Sequence, residues 1–161
     1  MELPDPEAEP DSLPLRRAAR VLLLDPLDRV LLMRYDDQPP DGRHWSTPGG
    51  GLNPGEEYPQ AALRELAEET GWDDIALQGE VLAQTRVLTH GDRRMRQFER
   101  LYLARTGPPG REIRGVEAMH ASDGIAAWRW WTLAELEVTT EVIYPAGIAG
   151  LMREVLGTAA P

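Results

Sequence analysis

Between Gly50 and Trp72 the chain reads GGLNPGEEYPQAALRELAEETGW, and this stretch restricts the fold more than any other. Glu65, Glu68 and Glu69 fall at i, i+3 and i+4. On a helix turning about 100° per residue, that spacing puts three carboxylates on one face. Ala62, Leu63, Leu66 and Ala67 fall on the other side, so the expected helix buries one stripe and aims its acids away from it. Like charges one turn apart repel. A chain that concentrates them leaves them in water or gives them a cation, and hard oxygen ligands suit Mg²⁺ or Mn²⁺ rather than zinc.

The flanks agree with a helix over Pro59 to Thr70. Pro59 stands where a first-turn proline is tolerated, and Glu56 and Glu57 bring negative charge to the positive end of the macrodipole. Gly71 follows the last polar turn, where a left-handed cap favours glycine. Ahead of the helix, Pro48-Gly49-Gly50-Gly51 and Pro54-Gly55 predict a loop whose backbone can approach a ligand closely. A glycine loop leading into an acid-faced helix suits a metal-bound diphosphate.

The segment resembles the Nudix box. Gly50, Glu56, Arg64-Glu65-Leu66, Glu68-Glu69 and Gly71 occupy its fixed places, and Trp72 fills its final aliphatic place, the one departure. So many identities at fixed spacing make the resemblance specific. It implies an α/β/α sandwich with a mixed β-sheet between helices. It also implies an Mg²⁺-dependent (or Mn²⁺-dependent) hydrolase in which water attacks a phosphorus of a diphosphate linkage. In that scheme Glu65, Glu68 and Glu69 bind metal or deprotonate the water, with Glu65 the preferred base. Gly49 adds its carbonyl, Gly50 and Gly51 lie against the substrate, and Arg64 pairs with Glu56 to fix the loop on the helix. A further metal-binding acid is open between Glu99 and Glu117. Nucleoside di- or triphosphates are the first substrate class. Dinucleoside polyphosphates, ADP-ribose and nucleotide sugars are the alternative, and a non-catalytic nucleotide sensor ranks below both.

Composition sets the outer bounds. At 161 residues and 42% apolar the chain suits one globular domain, expected over residues 15–157. Residues 1–14, with four prolines, five acids and no Lys or Arg, read as a flexible acidic tail. The absence of cysteine excludes disulfides and thiolate chemistry and fits a cytoplasmic setting. No apolar run is long enough to span a bilayer. A formal net charge of −10 argues against nucleic-acid or anionic-membrane partners. The expected partner is a small nucleotide or other diphosphate. The oligomeric state stays open, homodimer included.

Along the chain, strands are expected over Arg17–Leu24, Val30–Tyr35, Ile75–Leu77, Val81–Thr89, Met95–Arg105 and Ile125–Trp131, with a short extended stretch at Trp45–Thr47. Turns fall at Asp25–Asp28 and Gly91-Asp92. Val116–Gly124 reads as loop or short helix. Thr132 with Glu135 forms a capping box, and a last helix runs from about Ala146 to Leu156. Arg34 reads as a surface ion pair or a phosphate contact. Arg93, Arg94, Arg96 and Arg100 read as a solvated hairpin or a steering patch, and Trp45, Phe98 and Tyr102 as core or base-stacking aromatics. The spacing of His44, His90 and His120 supports no Ser-His-Asp arrangement.

Overall fold

The structure is a computed structural model and describes residues 13–38, 41–90 and 92–157, without the His90 side chain. Its organising strand is β1 (Leu15–Leu24), which is apolar on both faces over its second half because helices cover both. Ala19, Val21 and Leu23 pack on Ala61, Ala62 and Leu66 of α1 (Tyr58–Thr70). Leu22 and Leu24 point the other way, into a second cluster with Trp131, Ile148 and Met152. The alternation of a pleated strand thus makes one strand the floor of two cores.

Asp25 turns the chain into β2 (Val30–Asp36). Its buried carboxylate accepts from the backbone N–H groups of Leu27, Arg29 and Gly110 and from the Arg29 guanidinium. Burial opposes that charge, yet these bonds outweigh it and hold the carboxyl below its usual range. β1 and β2 share a single register pair, Leu24↔Val30, so the sheet opens into two wings. One wing is β4 (Gly49–Gly51), β1, β6 (Arg93–Arg105) and β5 (Leu77–His90), with β1 and β6 parallel. The other is β7 (Ile125–Trp131), β2, β3 (Arg43–Ser46) and β8 (Ile143–Tyr144). α1 covers one face; α3 (Leu133–Val138) and α4 (Ile148–Leu156) pack together beneath the other. This is the α/β/α sandwich with a mixed sheet.

Several expectations shift. The glycine loop contains a strand, β4, because Gly49–Gly51 pair antiparallel with Arg20–Ala18. Ile75–Leu77 and Val81–Thr89 resolve into one strand from Leu77, with register shifts near Gly79 and Glu80 absorbing the break. Residues 116–124 give a short helix, α2 (Glu117–Asp123), closed by Gly124 at φ 75°. β8 had no signal at two residues. Thr132 caps α3 and forms the capping box with Glu135. Of the expected tail, residues 1–12 lie outside the described residues. Leu13 and Pro14 run along β6, where their carbonyls accept from Arg96 Nε and N–H. The turn at Gly91 also lies outside. Among the described residues, no helix is long and apolar enough to cross a membrane.

Candidate functional site

α1 begins with Glu57 as N-cap, its capping box closed by Gln60, and Pro59 in the first turn. It ends on Gly71 at φ 79°, whose N–H donates to the Ala67 carbonyl. Between these caps the acids do not all face away from the core, a correction to the sequence expectation. Ala62, Leu66 and Glu69 share a stripe, and Glu69 is only 2% exposed. Its Oε2 accepts the Gly49 N–H at 3.1 Å. Burial raises Glu69 well above the usual carboxylate range and Glu65 adds to the rise; Arg20 and the Gly49 N–H pull against it.

Glu65 lies over β4. A Cβ built at Gly50 would meet the Glu65 Cδ at 2.7 Å, so the carboxylate needs a glycine beneath it. Burial raises Glu65, partly countered by Arg64. Arg64 spans the whole motif. Its Nε and Nη2 make a bidentate pair with Glu56, both at 2.8 Å, and Nη2 also donates to the Gly51 carbonyl at 3.0 Å. Its Nη1 donates to Glu65 Oε1 at 3.0 Å and Glu68 Oε1 at 3.2 Å. Those bonds to Arg64, with a backbone N–H from Asn53, bring Glu56 down to about 2.

The donors around α1 are all hard oxygens, a set that fits Mg²⁺ or Mn²⁺. Among the described residues Glu69 is a buried carboxylate with one neutral hydrogen bond, and a cation would satisfy what remains. In this arrangement, however, no three acids among the described residues converge on one point. Arg64 engages Glu65 and Glu68, and Glu69 turns to Gly49. Gly49 contributes its N–H here, where the sequence reading gave it a carbonyl role.

The remaining candidates scatter. Arg34 forms an exposed bidentate pair with Asp36 and its guanidinium lies 5.8 Å from the Trp45 ring centre. Glu117 is exposed at the start of α2, its Oε1 3.4 Å from the Gly115 N–H. Asp123, at the other end of α2, is the acid whose charge reaches Glu65 and Glu69. Glu99 is buried away from the helix acids, accepting from Arg20 Nε at 3.0 Å and from Gln84 and Gln97 at 2.9 Å each. Burial would raise it, but Arg20 and Arg86 hold it below its usual range. Arg100 pairs with Glu80 and covers Tyr58 and Phe98. Trp45, Phe98 and Tyr102 are core. His44 stacks on Tyr35, and His120 Nε2 lies 2.6 Å from the Glu69 carbonyl, tying α2 to α1.

Sequence reasoning missed Arg16, Arg20 and Arg86. Their signal was parity: Arg16, Ala18 and Arg20 share one face of β1, and charges in an otherwise buried strand need partners.

An α/β/α sandwich carrying an arginine-clamped acidic helix beside a glycine strand defines a class. A model of the NUDIX domain matches residues 14–149. The chain belongs to the Nudix family. It is similar to an RNA pyrophosphohydrolase of Dinoroseobacter shibae, 45% identical over 76 residues, which are 46% of this chain and 44% of that protein. A second RNA pyrophosphohydrolase, from Novosphingobium aromaticivorans, is 48% identical over 60 residues, 37% of this chain and 36% of that protein. The chain thus spans less than half the length of these curated relatives. Among solved structures, the MutT protein of Methanosarcina mazei Go1 superposes with a TM-score of 0.67 at 16% identity, covering 88% of this chain and 93% of that one. A MutT NUDIX hydrolase of Burkholderia pseudomallei gives 0.59 at 25% identity, covering 84% and 95%.

Proposed function

We propose that the protein is an Mg²⁺-dependent hydrolase of a diphosphate linkage in a nucleoside di- or triphosphate or a related derivative. One observation carries the reading. Glu65 packs over Gly50 of the glycine strand and Glu69 is buried beside it, where among the described residues its hydrogen bond comes from the Gly49 N–H, leaving the carboxylate short of counter-charge. Glu65, Glu68 and Glu69 would hold the ion, with the Gly49 backbone beside them. Bound there, the ion would neutralise phosphate charge and acidify water.

The chain's own residues divide the rest of the work. Glu65 takes the proton of the attacking water as general base. Arg64 donates to Glu65 Oε1, so Oε2 would take the proton. Arg64 and Glu56 together hold β4 on α1, so the phosphate path along Gly50 and Gly51 is fixed relative to the acids.

A second reading concerns the leaving fragment. Two relatives sharing 45% and 48% identity over their matched stretches are named RNA pyrophosphohydrolases, which favours the 5′-triphosphate end of an RNA. The chain's charge of −10 opposes a long RNA interface, so any RNA would be gripped at its triphosphate. The chemistry at phosphorus is the same.

The test is a panel of nucleoside triphosphates, a dinucleoside polyphosphate, ADP-ribose, a nucleotide sugar and a 5′-triphosphorylated oligoribonucleotide. Release of phosphate, pyrophosphate or nucleoside monophosphate is followed with Mg²⁺ and with chelator. Turnover is expected with Mg²⁺ alone and is abolished in Glu65→Gln and Glu68→Gln variants of unchanged circular dichroism. Undiminished turnover in those variants would remove the acids from the mechanism.

A further inference from the structure

β5 ends the sheet with an open backbone edge. Among the other marginal strands, β4 has three residues, β8 has two, and α2 packs on β7. Short strands and covering helices are the usual protection of an edge. β5 has 14 residues, with β6 as its strand neighbour on one side and none on the other among the described residues.

Other protective devices stop early in the strand. Register shifts fall between Leu77 and Gly79 and between Glu80 and Leu82. From Leu82 to His90 there is no bulge, no proline and no acid. The one lysine or arginine there, Arg86, is drawn to Glu99 Oε1 at 3.4 Å and to the ring of Tyr144 at 4.6 Å. His90 pairs with Arg93 with two residues between them, and the pair closing such a hairpin exchanges both its hydrogen bonds. Alternation from that pair turns the N–H and C=O groups of Leu82, Gln84, Arg86 and Leu88 to β6. It turns those of Ala83, Thr85, Val87 and Thr89 outward. These four side chains share a face and are uncharged; Thr85 is exposed, and Val87 is 52% exposed.

A second copy of the chain fits this edge because the strand is complementary to itself. Identical strands related by a twofold axis run antiparallel, and each side contributes the same outward groups. With the axis at Thr85, threonine meets threonine, Ala83 meets Val87, Gln84 meets Arg86 and Leu82 meets Leu88. Threonine pairs and apolar pairs are favourable across strands. With the axis at Arg86, two guanidiniums would oppose each other, which is repulsive. With the axis at Val87, each arginine would face Leu88.

We propose that β5 pairs with β5 of a second copy, antiparallel about a twofold axis at Thr85, joining two sheets into one. The ladder from Leu82 to Leu88 is then about 23 Å long. It holds without an ion pair, and nothing in it depends on the reaction at α1.

Sedimentation velocity of the full chain, from low to high micromolar concentration, tests the pairing. The wild type is expected to move with concentration to a species of twice the 18.0 kDa chain mass. The dimer should be no weaker in about 1 M NaCl, because copies carrying −10 each repel and the salt screens that repulsion. Val87→Lys puts a charge on the edge and should raise the dimer Kd about tenfold or more. Thr85→Pro removes an outward N–H, so it spares the β5–β6 ladder and should weaken the dimer as much, with circular dichroism unchanged. Leu27→Lys, at an apolar residue 62% exposed in the β1–β2 turn, should stay within twofold of the wild type. The chain has no cysteine, so Thr85→Cys supplies one thiol per copy, with Cα atoms about 5.5 Å apart and within disulfide reach. Air oxidation should link Thr85→Cys into dimers at least tenfold faster than Val87→Cys. A wild type that stays monomeric throughout would overturn the proposal and leave the edge to a different chain. A dimer that neither Val87→Lys nor Thr85→Pro weakens, or faster linkage through Val87→Cys, would overturn it as well.

Discussion

Replacing Glu69 by Gln isolates the carboxylate on which the account leans. The amide keeps an oxygen for the Gly49 N–H, now at 3.1 Å, and keeps the side-chain volume in a site that is 2% exposed. What disappears is a buried charge whose obvious cation, Arg20, is committed to Glu99. Leaving a buried ionised group under-paired costs about 1–3 kcal/mol or more. Without metal near pH 8, the Gln variant should therefore be more stable by about that amount. At 2–4 °C per kcal/mol for a chain of this size, the gain in Tm is about 2–12 °C. The pH dependence follows from linkage. Burial raises the Glu69 pKa above its unfolded value, so between the two the native state binds more protons than the unfolded one. Stability from Glu69 is full below about pH 4.3, its unfolded value, and is lost as pH rises through the folded pKa. The variant's advantage should accordingly shrink to nothing on acidification. Magnesium should narrow or reverse that gap at pH 8: a ligand at 100 times its Kd adds about 2.7 kcal/mol to the wild type, and the variant gains less. Thermal melts at pH 4 and pH 8, each with chelator and with millimolar Mg²⁺, check every arm. A Gln variant that melts below the wild type in chelator at pH 8, or that gains as much from Mg²⁺, would refute the reasoning.

Arg64→Lys should cost about 2 kcal/mol in denaturant melts and most of the turnover, because a lysine cannot make the bidentate pair with Glu56 while reaching the Gly51 carbonyl. Gly50→Ala should lower Mg²⁺ affinity about tenfold or more, read by calorimetry, since its Cβ would meet the Glu65 carboxyl at 2.7 Å and the carboxyl must move. Asp25→Ala should destabilise the fold by about 2–4 kcal/mol by removing the acceptor of four hydrogen bonds. With its folded pKa below the unfolded one, Asp25 contributes above about pH 4 and its contribution is lost as pH falls through the folded pKa, so acid melts of the wild type should show the loss and those of the variant should not.

Local chemistry was legible in the sequence where residues act on their near neighbours. The first-turn Pro59 and Gly71 stop of α1 and the Thr132–Glu135 box of α3 depend on short spacing, while the Glu57–Gln60 box of α1 went unread and the Arg64–Glu56 pair came from the family resemblance. The two-faced burial of β1 was legible too, as a run too apolar for a half-solvated strand. Three things were not. The glycine segment read as loop because nothing in Gly49–Gly51 signals a strand, and its extension comes from pairing with β1. Glu69 read as solvent-facing because helical spacing groups it with Glu65 and Glu68; the approach of β4 decides that it is buried. The arginine row is spread over residues 16 to 86, and the parallel β1–β6 register that assembles it has no local signature.

Hydrolysis in ¹⁸O-enriched water with Mg²⁺, read by mass spectrometry of the products, addresses the claim that the helix acids direct water onto a phosphorus. A nucleoside triphosphate should yield one phosphate-bearing product carrying a single solvent oxygen, in the wild type with Mg²⁺ and not in Glu68→Gln. Product free of the heavy isotope, or equal incorporation in the Gln variant, would contradict it.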